Sequence, residues 1–265
     1  MKPVIKWSGS KRSQANEILK YIPKFETYYE PFCGGASIAY SLSPSNGVCG
    51  DICEPLINLW NLIKSNPESV CKIYQDQWTD LQSNGVDTYY KIRDHFNITH
   101  SPYDLLFLSR TCVNGLIRFN KNGDFNNSFH LSRKGINPDT LQKIIFDWSN
   151  KIQNIKFVNS DYRETTKNAT SNDFIYLDPP YFNTKGRYYG TIDFEQFINY
   201  LEDLNNRSIK YMLSFDGKRG EENFFVEIPS HLYKRHILIS SGNSPFKKVM
   251  DKQNKEVFES LYMNF

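Results

Sequence analysis

The chain has 265 residues, 39% of them hydrophobic and 15% aromatic, which is enough for one large α/β domain or one domain carrying an insert. A formal net charge of +3 does not by itself demand a nucleic-acid partner. The five cysteines, odd in number and without a C-x-x-C pair, argue against a disulfide framework or a cysteine zinc site. Reduced thiols in a cytosol fit best. No signal peptide opens the chain, and no apolar run is long enough to span a membrane.

In chain order, residues 13–20 read as a short helix starting at Ser13, and Thr27–Glu30 as a strand. A turn follows over Pro31–Gly35, then a helix over Ala36–Leu42. Gly47–Asp51 is a second short strand ending on a carboxylate, so strand, glycine turn, helix, strand and acid come in the order of a nucleotide-binding α/β unit. The pattern then breaks. Leu56, Leu59, Trp60 and Ile63 fall at helical spacing, and Leu105, Leu106 and Leu108 continue it. Residues 114–138 are polar, aperiodic and too long for a plain connection, which predicts a functional loop or inserted hairpin. Lys156–Val158 and Phe174–Leu177 resume the buried strands, each followed by an acid, Asp161 and Asp178. Tyr211–Ser214 and Phe258–Phe265 are further strands.

The expected fold is therefore α/β, with residues 1–53 and 146–265 forming one doubly wound domain and residues 54–145 a mostly helical second lobe. Ligands of open α/β sheets bind beyond the carboxyl ends of the strands, where Asp51, Asp161, Asp178 and the Gly34-Gly35 turn should gather. Basic residues at Arg110, Arg118, Lys121, Arg133 and Lys134, and at Lys234, Arg235, Lys247, Lys248, Lys252 and Lys255, read either as a solvated surface or as a nucleic-acid face.

The strongest chemical signal is Asp178-Pro179-Pro180-Tyr181 directly after an apolar strand. Two prolines fix the backbone and remove two N–H donors, leaving carbonyl acceptors beside a carboxylate. Such an edge suits a planar amino group with two hydrogens to donate. Hydrogen bonds to Asp178 and the Pro179 carbonyl would aim its nitrogen lone pair and stabilise the charge that develops during attack. Tyr181 offers a face for stacking. The plainer alternative is a Pro-Pro turn that merely ends a strand. In Glu30-Pro31-Phe32-Cys33-Gly34-Gly35, glycines after a strand allow close backbone approach to a ligand. G-x-G-x-x-G and the P-loop lysine motif are both absent, which disfavours a dinucleotide or triphosphate. Lys6-Trp7-Ser8-Gly9-Ser10-Lys11 alone is only a basic arm. The histidines are scattered, and no metal-ligand cluster is visible.

Together, K-W-x-G-x-K, E-P-F-x-G-G, an insert and D-P-P-Y in this order resemble the N6-adenine DNA methyltransferases of the Dam and EcoRV modification-methylase type, across nearly the whole chain. The resemblance implies a Rossmann-like, seven-stranded methyltransferase sheet with an inserted DNA-recognition domain. It also implies a methyl transfer from S-adenosylmethionine to N6 of a flipped-out adenine in double-stranded DNA. It assigns Asp178, Pro179 and Tyr181 to catalysis. Trp7, Lys11, Phe32, Gly34, Asp51, Asp161, Tyr162 and Asp178 would bind the cofactor. The segment Asn114-Gly115-Leu116-Ile117-Arg118-Phe119-Asn120 matches the family's N-G-L-x-R-[YF]-N. That match, with Lys6, implies Lys6, Asn114, Arg118 and Asn120 as DNA contacts, Arg118 suited to guanine O6 and N7.

Three positions depart from the family pattern: Ala36 replaces the third loop glycine, Asn127-Ser128-Phe129 replaces N-V-P-[FY] in part, and Val113 stands where an aromatic is usual. The recognition sequence, GATC-like, GATATC-like or another, stays open, as does a cognate restriction endonuclease. The resemblance implies action as a monomer. Rival readings are a cytosine-N4 enzyme, for which S-P-P-Y would be expected, a glutamine methyltransferase with N-P-P-Y, and a non-catalytic DNA-binding protein on a decayed scaffold.

Overall fold

The computed structural model describes residues 1–132, 134–180, 192–219, 222–223, 228–243 and 256–265. Their elements in order are α1 (Ala15–Leu19), β1 (Tyr28–Glu30), α2 (Ser37–Leu42), β2 (Gly47–Asp51), α3 (Glu54–Ser65), α4 (Pro67–Asn84), α5 (Val86–Thr99), α6 (Pro102–Thr111), α7 (Pro138–Lys151), β3 (Ile155–Asn159), α8 (Tyr162–Thr166), β4 (Phe174–Leu177), α9 (Phe194–Asn206), β5 (Lys210–Arg219), β6 (Glu222–Asn223), β7 (Arg235–Asn243) and β8 (Glu256–Met263).

Seven strands line up in the order β3-β2-β1-β4-β5-β8-β7, and the two-residue β6 pairs with the far end of β5. The first five are mutually parallel, while β8 is antiparallel to both β5 and β7. Chain order reverses between β1 and β4, so a crevice opens beyond the carboxyl ends of these two strands. The parallel strands are apolar on both faces because helices cover both. Tyr28, Phe174, Tyr176 and Met212 join one core cluster, while their neighbours Tyr29, Ile175, Leu177, Tyr211 and Leu213 join the other. Alternate side chains of a strand point to opposite faces, and that division follows directly.

The first cluster does not stop at the sheet. It continues through Leu56, Trp60, Ile63, Tyr74, Phe96, Phe107, Ile145 and Trp148, so the helical segment shares the sheet's core rather than enclosing a separate one. Trp60 and Trp148 stack at 5.0 Å, tying α3 to α7. Residue 146, the expected boundary, falls inside α7. That helix starts cleanly at Pro138, where the Asn137 side chain accepts the amides of Asp139 and Thr140, and runs on to Lys151.

Smaller differences have local causes. The expected first helix is split into a 3₁₀ turn, Lys11–Ser13, and α1. The second begins at Ser37, because Ala36 takes a left-handed φ of 48°. The polar stretch after α6 folds back on itself through isolated bridges, Cys112 to Phe129 and Phe119 to Phe125. Among the described residues, no helix is long and apolar enough to cross a membrane.

Candidate functional site

At the switch in strand order lies a cavity of about 310 Å³. Trp7 and Lys11 from the N-terminal arm, and Phe32 and Gly34 from the turn after β1, line one side of it. Asp51 at the end of β2, Asp161 and Tyr162 after β3, and Asp178 and Pro179 after β4 line the rest. The residues that follow β1 to β4 thus meet because each closes a neighbouring parallel strand, and the arm brings Trp7 and Lys11 to them. Tyr181, expected to stack on a base, lies outside the described residues, as do Arg133, Lys247, Lys248, Lys252 and Lys255.

The turn after β1 is held from three sides. The Gly34 amide donates to Asp51 Oδ2 at 3.0 Å, its carbonyl accepts from Trp60 Nε1 at 2.9 Å, and the Cys33 amide donates to the Gly50 carbonyl at 2.9 Å. Gly34 has φ +44°, and a Cβ added there would sit 2.6 Å from Trp7 Nε1, so the absence of a side chain lets the indole lie on the turn. Asp51 also accepts the Cys53 amide at 2.9 Å, and burial pushes its carboxyl up to about 6. Phe32 stacks on Tyr162 at 5.3 Å, and Tyr162 is set edge-on against Phe197 and Tyr200. Asp161 caps α8 by accepting the amides of Arg163 and Glu164 and pairs with the Arg163 guanidinium at 3.0 Å.

Lys11 lines the cavity and also carries an ion-paired role there. It is only 5% exposed, and its ammonium bridges Asp178, at 2.8 Å, and Glu259 on β8. It therefore reaches the cavity as the counter-ion of Asp178. Burial raises the Asp178 carboxyl above the ordinary range, with Lys11 opposing the shift and Glu259 adding to it.

Glu30, at the end of β1, is a further buried carboxyl on the cavity wall, and its Oε2 accepts from the Tyr28 hydroxyl at 2.8 Å and the Ala39 amide at 2.9 Å. Burial pushes it up to about 8, against the opposing effect of those two hydrogen bonds. A carboxyl whose folded pKa lies above its unfolded value stabilises the fold fully below the unfolded value and loses that contribution as pH rises through the folded one. The Glu30 contribution therefore declines from about 4.5 to about 8, and the smaller one of Asp51 from 3.8 to about 6. Glu30→Gln keeps an acceptor for both donors but cannot ionise. Its thermal stability should fall less than that of the wild type between pH 6 and pH 8, a difference that melting curves across that window would read; parallel curves would mean Glu30 does not titrate there.

The opposite side of the arm faces the helical lobe. The Arg110 guanidinium donates to the carbonyls of Pro3 and Val4, and Trp148 Nε1 donates to the Lys2 carbonyl at 2.8 Å, fixing the arm before Lys6. The Lys6 stem then packs on Gly115, where a Cβ would lie 2.4 Å from Lys6 Cδ. Lys6 and Trp7, adjacent in sequence, thus contact two different loops.

Asn114 is exposed with φ 57°, and Arg118 is exposed on the same segment. Asn120 is engaged otherwise: its Oδ1 accepts the amides of Asn122 and Asp124, and its Nδ2 donates to the Asp124 carboxylate, closing the turn of the hairpin. Helix α5 pins the hairpin from behind, since Asn97 exchanges two hydrogen bonds with the Phe125 backbone and the Tyr89 hydroxyl donates to the Asn127 carbonyl. Sequence reasoning names Glu30 only as part of its motif, with no role, and does not single out Asn97 or Glu259. Glu259 left a signal, a lone acid on the strand face that carries the buried Leu261 and Met263.

The sequence is similar to known proteins over most of its length. The D12 class N6 adenine-specific DNA methyltransferase family matches residues 7–241. A Serratia marcescens DNA adenine methylase is 32% identical over 181 residues, covering 67% of this chain and 66% of that protein. The Escherichia coli K12 DNA adenine methylase is 27% identical over 258 residues, covering 92% of this chain and 91% of that protein. A Vibrio cholerae DNA adenine methylase is 32% identical over 181 residues, covering 67% of this chain and 64% of that protein.

Proposed function

Because the chain belongs to the D12 class of N6 adenine-specific DNA methyltransferases, we propose that its cavity takes S-adenosylmethionine and that Asp178 and Pro179 present the target amine to it. The observation that carries this reading is the meeting of Asp178, Asp51 and the Trp7-covered Gly34 turn in one cavity beyond the parallel strands. The fit is chemical as well as spatial: a carboxylate for ribose hydroxyls at Asp51, aromatic faces at Phe32 and Tyr162, and an indole at Trp7. S-adenosylmethionine supplies an electrophilic methyl group.

An aromatic amine is a weak nucleophile because its lone pair is delocalised into the ring. Asp178 and the Pro179 carbonyl accept its two hydrogens, hold the lone pair out of the ring plane and stabilise the charge growing on nitrogen. Pro179 and Pro180 keep that edge rigid and free of competing N–H donors. N6 is paired inside the duplex, so the nucleotide swings out to reach the strand ends, with unstacking and unpairing costing about a few kcal/mol. Tyr181 stacks on the extruded base in this reading.

Residues 1–53 and 146–265 serve as the catalytic domain and 54–145 as the recognition domain, although they share a core. One chain carries both sets of residues, which supports action as a monomer, and the DNA substrate places it in the cytoplasm of its host cell. Lys6, Asn114 and Arg118 face the DNA; Asn120 shapes the loop that carries Arg118. Arg118→Ala should weaken binding to the cognate site by about 1–3 kcal/mol and relax one base position. Sequencing of methylated genomic DNA from hosts expressing the wild type or the variant tests both the activity and the assignment. No N6-methyladenine from the wild type would overturn the function, and an unaltered motif with Arg118→Ala would reduce Arg118 to a phosphate contact.

A further inference from the structure

Asp178 does not face the reaction alone. Its Oδ1 lies 2.8 Å from the Lys11 ammonium, a distance at which a cation neutralises much of a carboxylate's field in a poorly hydrated site. A neutralised Asp178 would be a poor acceptor for an amine that becomes positive as it reacts. The same ammonium, however, also contacts Glu259, which is 5% exposed and comes from β8. Glu259 is held in turn by the Ser214 hydroxyl on β5, at 2.8 Å to Oε1, and by the Gln14 side-chain amide at Oε2.

We propose that Glu259 is a positioning residue for methyl transfer: by sharing the Lys11 ammonium it leaves the Asp178–Lys11–Glu259 group with a net charge of minus one, directed at the amine. This inference rests on the reading of Asp178 as the group that holds the amine. One cation between two carboxylates gives that charge by simple addition. Ser214 and Gln14 fix Glu259 as an acceptor, so Lys11 cannot swing wholly to Asp178. Burial works to raise Glu259, but Lys11, Ser214 and Gln14 outweigh it and hold its carboxyl below the ordinary range, which keeps it ionised. Among the described residues, the titratable groups facing Asp178 are Lys11 from the 3₁₀ turn, Glu259 from β8, Tyr176 from β4 and Glu30 from β1. Of these, only Glu259 is a carboxyl held ionised in contact with the same ammonium.

Glu259→Gln removes the charge and keeps the shape, and Lys11 retains Asp178 as its partner, so no buried cation is stranded. With Glu259 neutral, Lys11 acts undivided on Asp178, which becomes less basic. Two measurements read this. In the unliganded protein, the carboxyl NMR signal of Asp178 in ¹³C-aspartate-labelled protein, identified by its loss in Asp178→Asn, should titrate at lower pH in Glu259→Gln. In single turnovers at saturating DNA and methyl donor, the plateau rate should fall about tenfold or more while DNA affinity stays within about twofold. Ser214→Ala, which loosens Glu259 without altering its charge, should move both readouts in the same direction by less, and carries the test if melting shows Glu259→Gln to be unfolded. An unmoved Asp178 titration with a plateau rate within about twofold of the wild type, in a folded variant, would overturn the proposal. Full activity of Asp178→Ala would instead overturn the reading of the site on which it rests.

Discussion

Replacing Asp178 by alanine is expected to reduce single-turnover methyl transfer roughly 10³-fold or more, because it removes both an acceptor for the amine and the charge that stabilises the transition state. The structure says why the loss should be catalytic rather than conformational. Asp178 is 19% exposed and sits at the end of β4, beyond the strand's apolar core residues. Among the described residues, its buried ion-pair partner is Lys11, which keeps Glu259 when Asp178 is gone. The variant should therefore melt near the wild type and bind DNA with most of its affinity, since the recognition loop is anchored elsewhere, on α5 and the arm. Asp178→Asn retains an acceptor of the same size but not the charge, and should fall between the two. Pro179→Ala should be milder than either, because the group it contributes is its backbone carbonyl. Rapid-quench single turnovers with a tritiated methyl donor would rank all three. A near-normal rate for Asp178→Ala would remove this carboxylate from the chemistry and favour a scaffold that only binds DNA.

How much of this was legible beforehand depended on whether a residue's role is local. The strand-turn-helix-strand opening, β3 and β4 could be read because short apolar runs ending on acids are local patterns, and the parallel sheet follows from their alternation with helices. The acids Asp51, Asp161 and Asp178 can be placed at one site for the same reason: each ends its strand or follows within two residues of its end. What escaped was set by pairing between distant segments. β7 was read only as a basic stretch around Lys234 and Arg235, because nothing near it announces that β8 will hydrogen-bond along its length. Helix α9 escapes the sequence reading although its amphipathic face buries Phe197, Leu201 and Leu204, and the expected boundary at residue 146 falls inside α7. The Lys11 motif is local and legible, but its ion pair with Glu259 is not, because the two residues lie far apart in the chain. The turn that the Asn120 side chain closes has a local signal, Asn122-Gly123-Asp124, two residues further on.

The second large effect is expected at Gly34, where valine should weaken methyl-donor binding by roughly 10²-fold or more, about 2.7 kcal/mol. Two costs could be responsible. A left-handed β-branched residue is strained by about 1–3 kcal/mol, and a Cβ at this position would lie 2.6 Å from Trp7 Nε1 and 2.7 Å from Trp7 Cδ1. The same turn indicates which dominates at the pocket. Two residues on, Ala36 adopts φ 48° with its side chain fully buried, so this backbone accepts a Cβ in the left-handed region where there is room for it. At Gly34 there is none: the indole must leave the turn, and with it goes one wall of the cavity. The Asp51 and Trp60 hydrogen bonds to the Gly34 backbone would be disturbed as well. Gly85 separates strain from clash. It has φ +63° and ψ −136°, a backbone that also favours glycine, and nothing within 4 Å of an added Cβ, so Gly85→Val carries a backbone strain of its own without a collision, outside the residues that line the cavity. Calorimetric titration of both variants with the methyl donor should show binding lost at Gly34 and retained at Gly85, with both losing some thermal stability. Near-normal affinity in Gly34→Val would mean that the Trp7 indole moves aside without loss, and Trp7 would then no longer count as part of the binding site.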